Sequence, residues 1–179
     1  MTLQADTQAF IDLVEAATAD APPRSEQSPE YARNGYQALA HILGEGPERA
    51  RLHEKIASLG VESVIRLHGT VPDPFQFYRR ADIFVLASRH EGTPNAALEA
   101  LGCRLPSILS DQALGSLELI GDARPLIVPT GDAAALEQAL ERLITDQPLR
   151  QTMADAAPLQ IAEFQLDRVR LAWETVLAG

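Results

Sequence analysis

Apolar and polar positions recur along this chain with two periods, and each change of period marks an element. Phe10, Ile11, Val14 and Ala17 are spaced as on one face of a helix, which predicts an amphipathic helix over 7–19. The stretch 20–35 has paired prolines and many polar residues and reads as a loop or an insertion. A short apolar run at 38–43 closes on Gly44-Glu45-Gly46-Pro47, the pattern of a buried strand entering a turn. Residues 48–59 read as a helix with Gly60 as its C-terminal stop. A strand at 64–67 ends in His68-Gly69, a short helix follows at 75–80, and a third strand occupies 83–87. A helix over 94–101 carries Pro94 in its first turn. Strands at 106–109 and 126–128 flank a short helical turn at 117–120, and helices at 133–143, 148–157 and 166–177 finish the chain.

Strands separated by helices imply a parallel sheet covered on both faces, because parallel strands need long crossovers. The expected fold is α/β, a doubly wound Rossmann-like sheet, with residues 1–179 forming a single domain. In such a sheet, ligands bind beyond the carboxyl ends of the strands, at the switch point.

Composition narrows the partners. Apolar residues make up 46% of the 179 positions, enough for a globular core. The net charge of −10 argues against nucleic acid or an anionic membrane as the main partner. Cys103 is the single cysteine, so no internal disulfide forms, and its apolar surroundings suit a small core residue. Four scattered histidines show no metal-ligand spacing, and there is no Asp-x-Asp motif to hold a metal-bound diphosphate. No stretch reads as a signal peptide or approaches the roughly 20 apolar residues of a membrane span, so the expected location is cytoplasmic.

The richest chemistry lies in Arg89-His90-Glu91-Gly92-Thr93-Pro94-Asn95-Ala96-Ala97-Leu98-Glu99, which follows a strand and runs into a helix. A helix N-terminus presents unpaired N–H groups and a positive dipole end, both suited to phosphate. Gly92 lets a ligand approach the backbone closely. Glu91 and Glu99 can accept hydrogen bonds from sugar and ribose hydroxyls; equally, Glu91 is a first-turn acid favoured by the dipole and Glu99 a solvated helix residue. Gly44 and Gly69 follow strands at the ligand side of the sheet, where each is either a pocket lining or a turn glycine. His90 and the pair Arg79-Arg80 read as surface residues.

Taken in order, several segments resemble the C-terminal, donor-binding domain of the retaining GT-B-fold glycosyltransferases (glycosyl transferases group 1). They are Gly44-Glu45-Gly46-Pro47-Glu48-Arg49, Leu67-His68-Gly69, and Ala81-Asp82-Ile83-Phe84-Val85-Leu86-Ala87-Ser88, then Glu91-Gly92-Thr93-Pro94-Asn95 with Glu99. Pro106, Glu118-Leu119-Ile120 and Val128-Pro129-Thr130-Gly131-Asp132 complete the series. The resemblance implies that Glu91 contacts the transferred sugar and Glu99 the ribose. It implies that backbone amides near Thr93, Pro94, Asn95 and Ala96 hold the sugar and diphosphate, and that Thr70 and Val71 lie near the base. The implied reaction moves a sugar from a nucleotide-diphosphate sugar to an acceptor hydroxyl with retention, without metal or other cofactor.

The chain also departs from that pattern. Members usually open this domain with a strand ending in Gly-Arg-Leu and a following lysine, whereas only Met1 to Asp6 precedes the predicted helix here. Loss of that basic pair would slow diphosphate departure on the order of a thousandfold or more. The sheet is therefore expected to lack its first, central strand, leaving neighbouring backbone edges unpaired. The acceptor-binding N-terminal domain is expected to be absent, with any membrane association residing in those missing parts. Arg104 replaces a usual glycine, which requires a backbone outside the glycine-only region, and its charge is a candidate substitute for part of the basic pair. The expected role is a donor-binding domain completed by a separate N-terminal half or partner chain. The alternative is a truncated, non-catalytic remnant that binds nucleotide or a protein partner.

Overall fold

The computed structural model describes residues 40–114, 124–161, 170 and 173–177. The predicted helix at 7–19, the stretch 20–35, the turn at 117–120 and half of the helix at 166–177 lie outside them. Among the described residues the order is β1 (Ala40–Leu43), α1 (Arg49–Leu59), β2 (Ile65–Gly69), α2 (Phe75–Tyr78), β3 (Phe84–Leu86) and α3 (Asn95–Gly102). β4 (Ser107–Ser110), a 3₁₀ turn (Asp111–Leu114), β5 (Leu126–Val128), α4 (Ala133–Thr145) and α5 (Gln147–Gln160) follow. Every strand of the predicted pattern among these residues is present, with boundaries that differ by at most two positions. The 3₁₀ turn was not predicted, because the bonds that fix it come from Thr130, distant in sequence.

All strand pairings are parallel, as the crossovers require, and the strands form two groups, β1-β2 and β3-β4-β5. Read together, this is the order of a doubly wound sheet in which no described strand stands between β1 and β3. β4 is the best-covered strand: all four of its residues are buried. Its Ile108 faces Leu136, Ala139 and Leu143 of α4 and Met153 of α5, while Leu109 faces Ala97 of α3 and Ala113. Alternation along one strand thus serves a core on each face of the sheet. Val85 of β3 remains 37% exposed.

The short helix α2 joins the two strand groups. Phe77 packs its ring against His41 of β1 and His68 of β2, while Tyr78 stacks edge-on against Phe84 of β3. The two histidines are hydrogen-bonded to each other at 2.7 Å. Burial, followed by His68, Arg66 and Arg80, holds the His41 imidazole below its usual range.

Two helices end in the same hydrogen-bond pattern with different residues. In α1 the N–H of Gly60 bonds the carbonyl of Ala57 and that of Val61 the carbonyl of Ile56, with Gly60 left-handed at φ 65°. In α3 the N–H of Arg104 bonds the carbonyl of Leu101 and that of Leu105 the carbonyl of Ala100, with Arg104 left-handed at φ 60°. Both are Schellman closures, in which the left-handed residue is usually glycine. The expectation that an arginine here must avoid the glycine region is therefore corrected. Arg104 occupies it, at a cost of about 1 kcal/mol. Leu105 then folds under the helix against Ala100 and Tyr78, which offsets that cost with apolar burial.

Candidate functional site

At the carboxyl end of β3, Ser88 is almost fully buried and its hydroxyl donates to Glu91 Oε1 at 2.8 Å. Its carbonyl accepts from Ser110 Oγ, at the end of β4, at 2.6 Å. Glu91 is therefore aimed by a chain of bonds running from the central strand through the loop. It is half-buried, whereas His90 beside it is exposed, as the sequence suggested.

Glu99, on the second turn of α3, accepts from the Tyr78 hydroxyl at 3.2 Å. It is half-buried. Burial and the negative Glu99 push the Tyr78 phenol well above its ordinary range. The two glutamates thus have separate supports, one from β3 and β4 and the other from α2.

Between them lies the start of α3. Buried Pro94 stands at the N-cap and no side chain caps the helix. The Asn95 N–H bonds the carbonyl of Thr93 at 2.9 Å, turning the chain sharply into the helix. No acidic residue occupies the first turn, so the positive end of the dipole is not neutralised from within. A Cβ on Gly92 would meet nothing within 4 Å, so the fold itself places no demand on that glycine. Thr93 and Asn95 are exposed and Ala96 is half-buried.

Gly44 and Gly69 come together as a pair. The Gly44 N–H bonds the Gly69 carbonyl at 2.7 Å, and both have positive φ, 118° and 71°. A Cβ on Gly69 would fall 2.3 Å from Glu45 Oε1. That carboxylate pairs with Arg49 at 3.1 Å, and Arg49 also donates to the Leu67 carbonyl at 3.3 Å. The first two landmarks of the sequence pattern therefore form one closed turn over the ends of β1 and β2. Thr70, exposed, and Val71, half-buried, continue from it on the carboxyl side.

Sequence reasoning did not single out Ser88, Tyr78, Asp111 or Thr130. The 3₁₀ turn after β4 is pinned by Asp111, which accepts from the backbone and hydroxyl of Thr130. The Thr130 hydroxyl, with the Thr130 and Gln112 amides, holds the Asp111 carboxyl below its ordinary range. A signal for Ser88 existed in its position at the end of an apolar strand, three residues before a glutamate. The others depend on contacts across the fold.

Arg104 precedes β4, whereas Glu91 follows β3, so in a parallel sheet they lie at opposite ends. The suggestion that Arg104 replaces part of the basic pair at the glutamates is overturned by this topology. Among the described residues there is no group of three or more His, Cys, Asp or Glu side chains placed to share a metal. No helix among them is long and apolar enough to cross a membrane.

Comparison with known proteins yields consistent likenesses. The sequence model of the family described as glycosyl transferases group 1 matches residues 25–160. The chain is 28% identical over 174 residues to the lipopolysaccharide core biosynthesis glycosyltransferase LpsE of Rhizobium meliloti, covering 90% of this chain and 51% of that protein. TarM of S. aureus, solved in a complex containing UDP, superposes with a TM-score of 0.79 at 16% identity, over 100% of this chain and 34% of that one. HepE of Anabaena, solved with UDP and glucose, superposes with a TM-score of 0.76 at 21% identity, over 100% of this chain and 46% of that one. The chain thus spans about half or less of the length of these proteins.

Proposed function

The chain belongs to the group 1 glycosyltransferases, and from that premise we propose that it binds a nucleotide-diphosphate sugar at the carboxyl ends of its strands. It serves there as the donor half of a sugar transfer to an acceptor hydroxyl. The observation that carries this reading is the support of Glu91, held at 2.8 Å by a buried serine that is itself tied to β4. A carboxylate so positioned beside an uncapped helix start can accept hydroxyl bonds from a sugar whose diphosphate meets the amides at Thr93, Pro94, Asn95 and Ala96. Pro94, lacking an N–H, contributes shape rather than a bond. Glu99 takes the ribose hydroxyls, exchanging or sharing its bond with Tyr78. Thr70 and Val71 flank the base beyond the Gly44–Gly69 turn.

Transfer proceeds with retention and without a metal, and the protein acts chiefly by stabilising the departing diphosphate. UDP in the TarM and HepE structures supports a nucleotide ligand. The acceptor site belongs to a second domain, outside the residues described.

Calorimetric titration of the folded chain with uridine and guanosine diphosphates tests this directly. Saturable binding lost in Glu99→Ala supports the site, and mixing with an N-terminal half should then yield sugar transfer. Absence of binding to either nucleotide by a folded chain counts against it. Nucleotide binding with no transfer in any reconstitution is the outcome expected of a non-catalytic remnant.

A further inference from the structure

A cavity lies at the other end of the sheet, and of its lining only Tyr78, the donor to Glu99, belongs to the site above. It has a volume of about 290 Å³ and sits where the chain enters β3 and β4, against the start of α5. Arg79, Arg104 and Arg150 line it, against a single acidic residue, Asp82. Three arginines around one cavity are unexpected in a chain with a net charge of −10.

Each arginine is held differently. Arg150 is half-buried and uses Nη1 to bond the carbonyls of Leu143 and Ile144 at the end of α4. A guanidinium has five donors, so these two bonds leave others for a ligand. Arg79 lies over the Phe75 ring, 6.0 Å from its centroid. Arg104 is the informative one. Its backbone closes α3 in a left-handed conformation that glycine supplies without strain, so the closure itself does not call for an arginine. Its ion pair with Asp155 is 3.8 Å long and both side chains are more than 60% exposed, a geometry that contributes little to stability. A strained residue whose side chain serves neither the turn nor a strong contact points to a use elsewhere.

We propose that this cavity binds the phosphate group of a small phosphorylated molecule, with Arg79, Arg104 and Arg150 as its donors. The planar fork of arginine matches phosphate oxygens in bidentate fashion, and three such forks suit a doubly charged group better than a single carboxylate. The site lies at the opposite end of the sheet from Glu91 and meets the glutamate site only through Tyr78.

The test uses thermal melts and calorimetry of the full chain with inorganic phosphate and with glycerol 3-phosphate, against sodium chloride of matched ionic strength. Both phosphates, or glycerol 3-phosphate alone, should stabilise the chain beyond chloride; the second result identifies an organic phosphate as the ligand. Arg104→Gly, which restores the residue the helix closure prefers, should melt no lower than the parent yet bind at least tenfold more weakly. Arg79→Gln should weaken binding in the same way, while Glu91→Gln, which touches no lining residue, should leave the phosphate response intact. An equal phosphate response in Arg104→Gly and the parent overturns the proposal. So does a response no larger than that to chloride, or one lost in Glu91→Gln.

Discussion

Ser88 links three things at once: the end of β3 through its backbone, β4 through Ser110, and the candidate sugar ligand Glu91 through its hydroxyl. Replacing it with alanine removes one hydrogen bond and leaves Glu91 free to rotate. The expected result is about a fivefold loss of nucleotide-sugar affinity by calorimetry, the equivalent of about 1 kcal/mol. Two glycines separate backbone need from ligand need. Gly69→Ala places a methyl against Glu45 in a left-handed turn and should cost at least about 1 kcal/mol in urea denaturation. Gly92→Ala meets only open space, so its melting temperature should match the parent while nucleotide-sugar binding weakens. Both glycines stood out in the sequence for the same reason, yet only the structure assigns Gly69 a turn it cannot leave. The glutamates were legible because spacing and helix position are local. Their supports, Ser110 and Tyr78, were not, because 22 and 21 residues separate each bonded pair.

The elements themselves were largely written into local patterns. Gly60 closes α1 as the sequence indicated, and β5 has the predicted bounds. What local pattern did not reveal was α3 closing on Arg104, because a rule built on glycine cannot see a strained arginine. Helix starts are equally local: Asp132 accepts from the Ala135 N–H at 2.9 Å to begin α4. Asp146 accepts from the Leu149 N–H at 2.8 Å to begin α5, while its own N–H bonds the Arg142 carbonyl and ends α4. Asp146→Ala removes the side-chain half of that junction and should cost about 1 kcal/mol in chemical denaturation. Asp146→Asn, which retains the acceptor oxygen, should recover most of it.

At the scale of the molecule, α2 is the joint between the two strand groups. Phe77 belongs to one and Tyr78 to the other. The phenol of Tyr78 is raised above the usual value near 10, so the folded state favours its neutral form. That contribution is complete below about pH 10, the unfolded value, and is lost as pH rises toward the higher folded one. Tyr78→Phe should therefore cost about 1 kcal/mol at neutral pH. It should also flatten the fall in melting temperature at alkaline pH, as followed by circular dichroism. The parallel order of the sheet was legible from alternating strands and crossovers. The shared residue Asp146 also bears on how the chain can be cut. Because one residue both ends α4 and starts α5, there is no exposed loop tip between them for a protease to engage. Limited digestion of the native chain should yield a fragment in which residues 133–160 stay in one piece, whatever is cleaved around it.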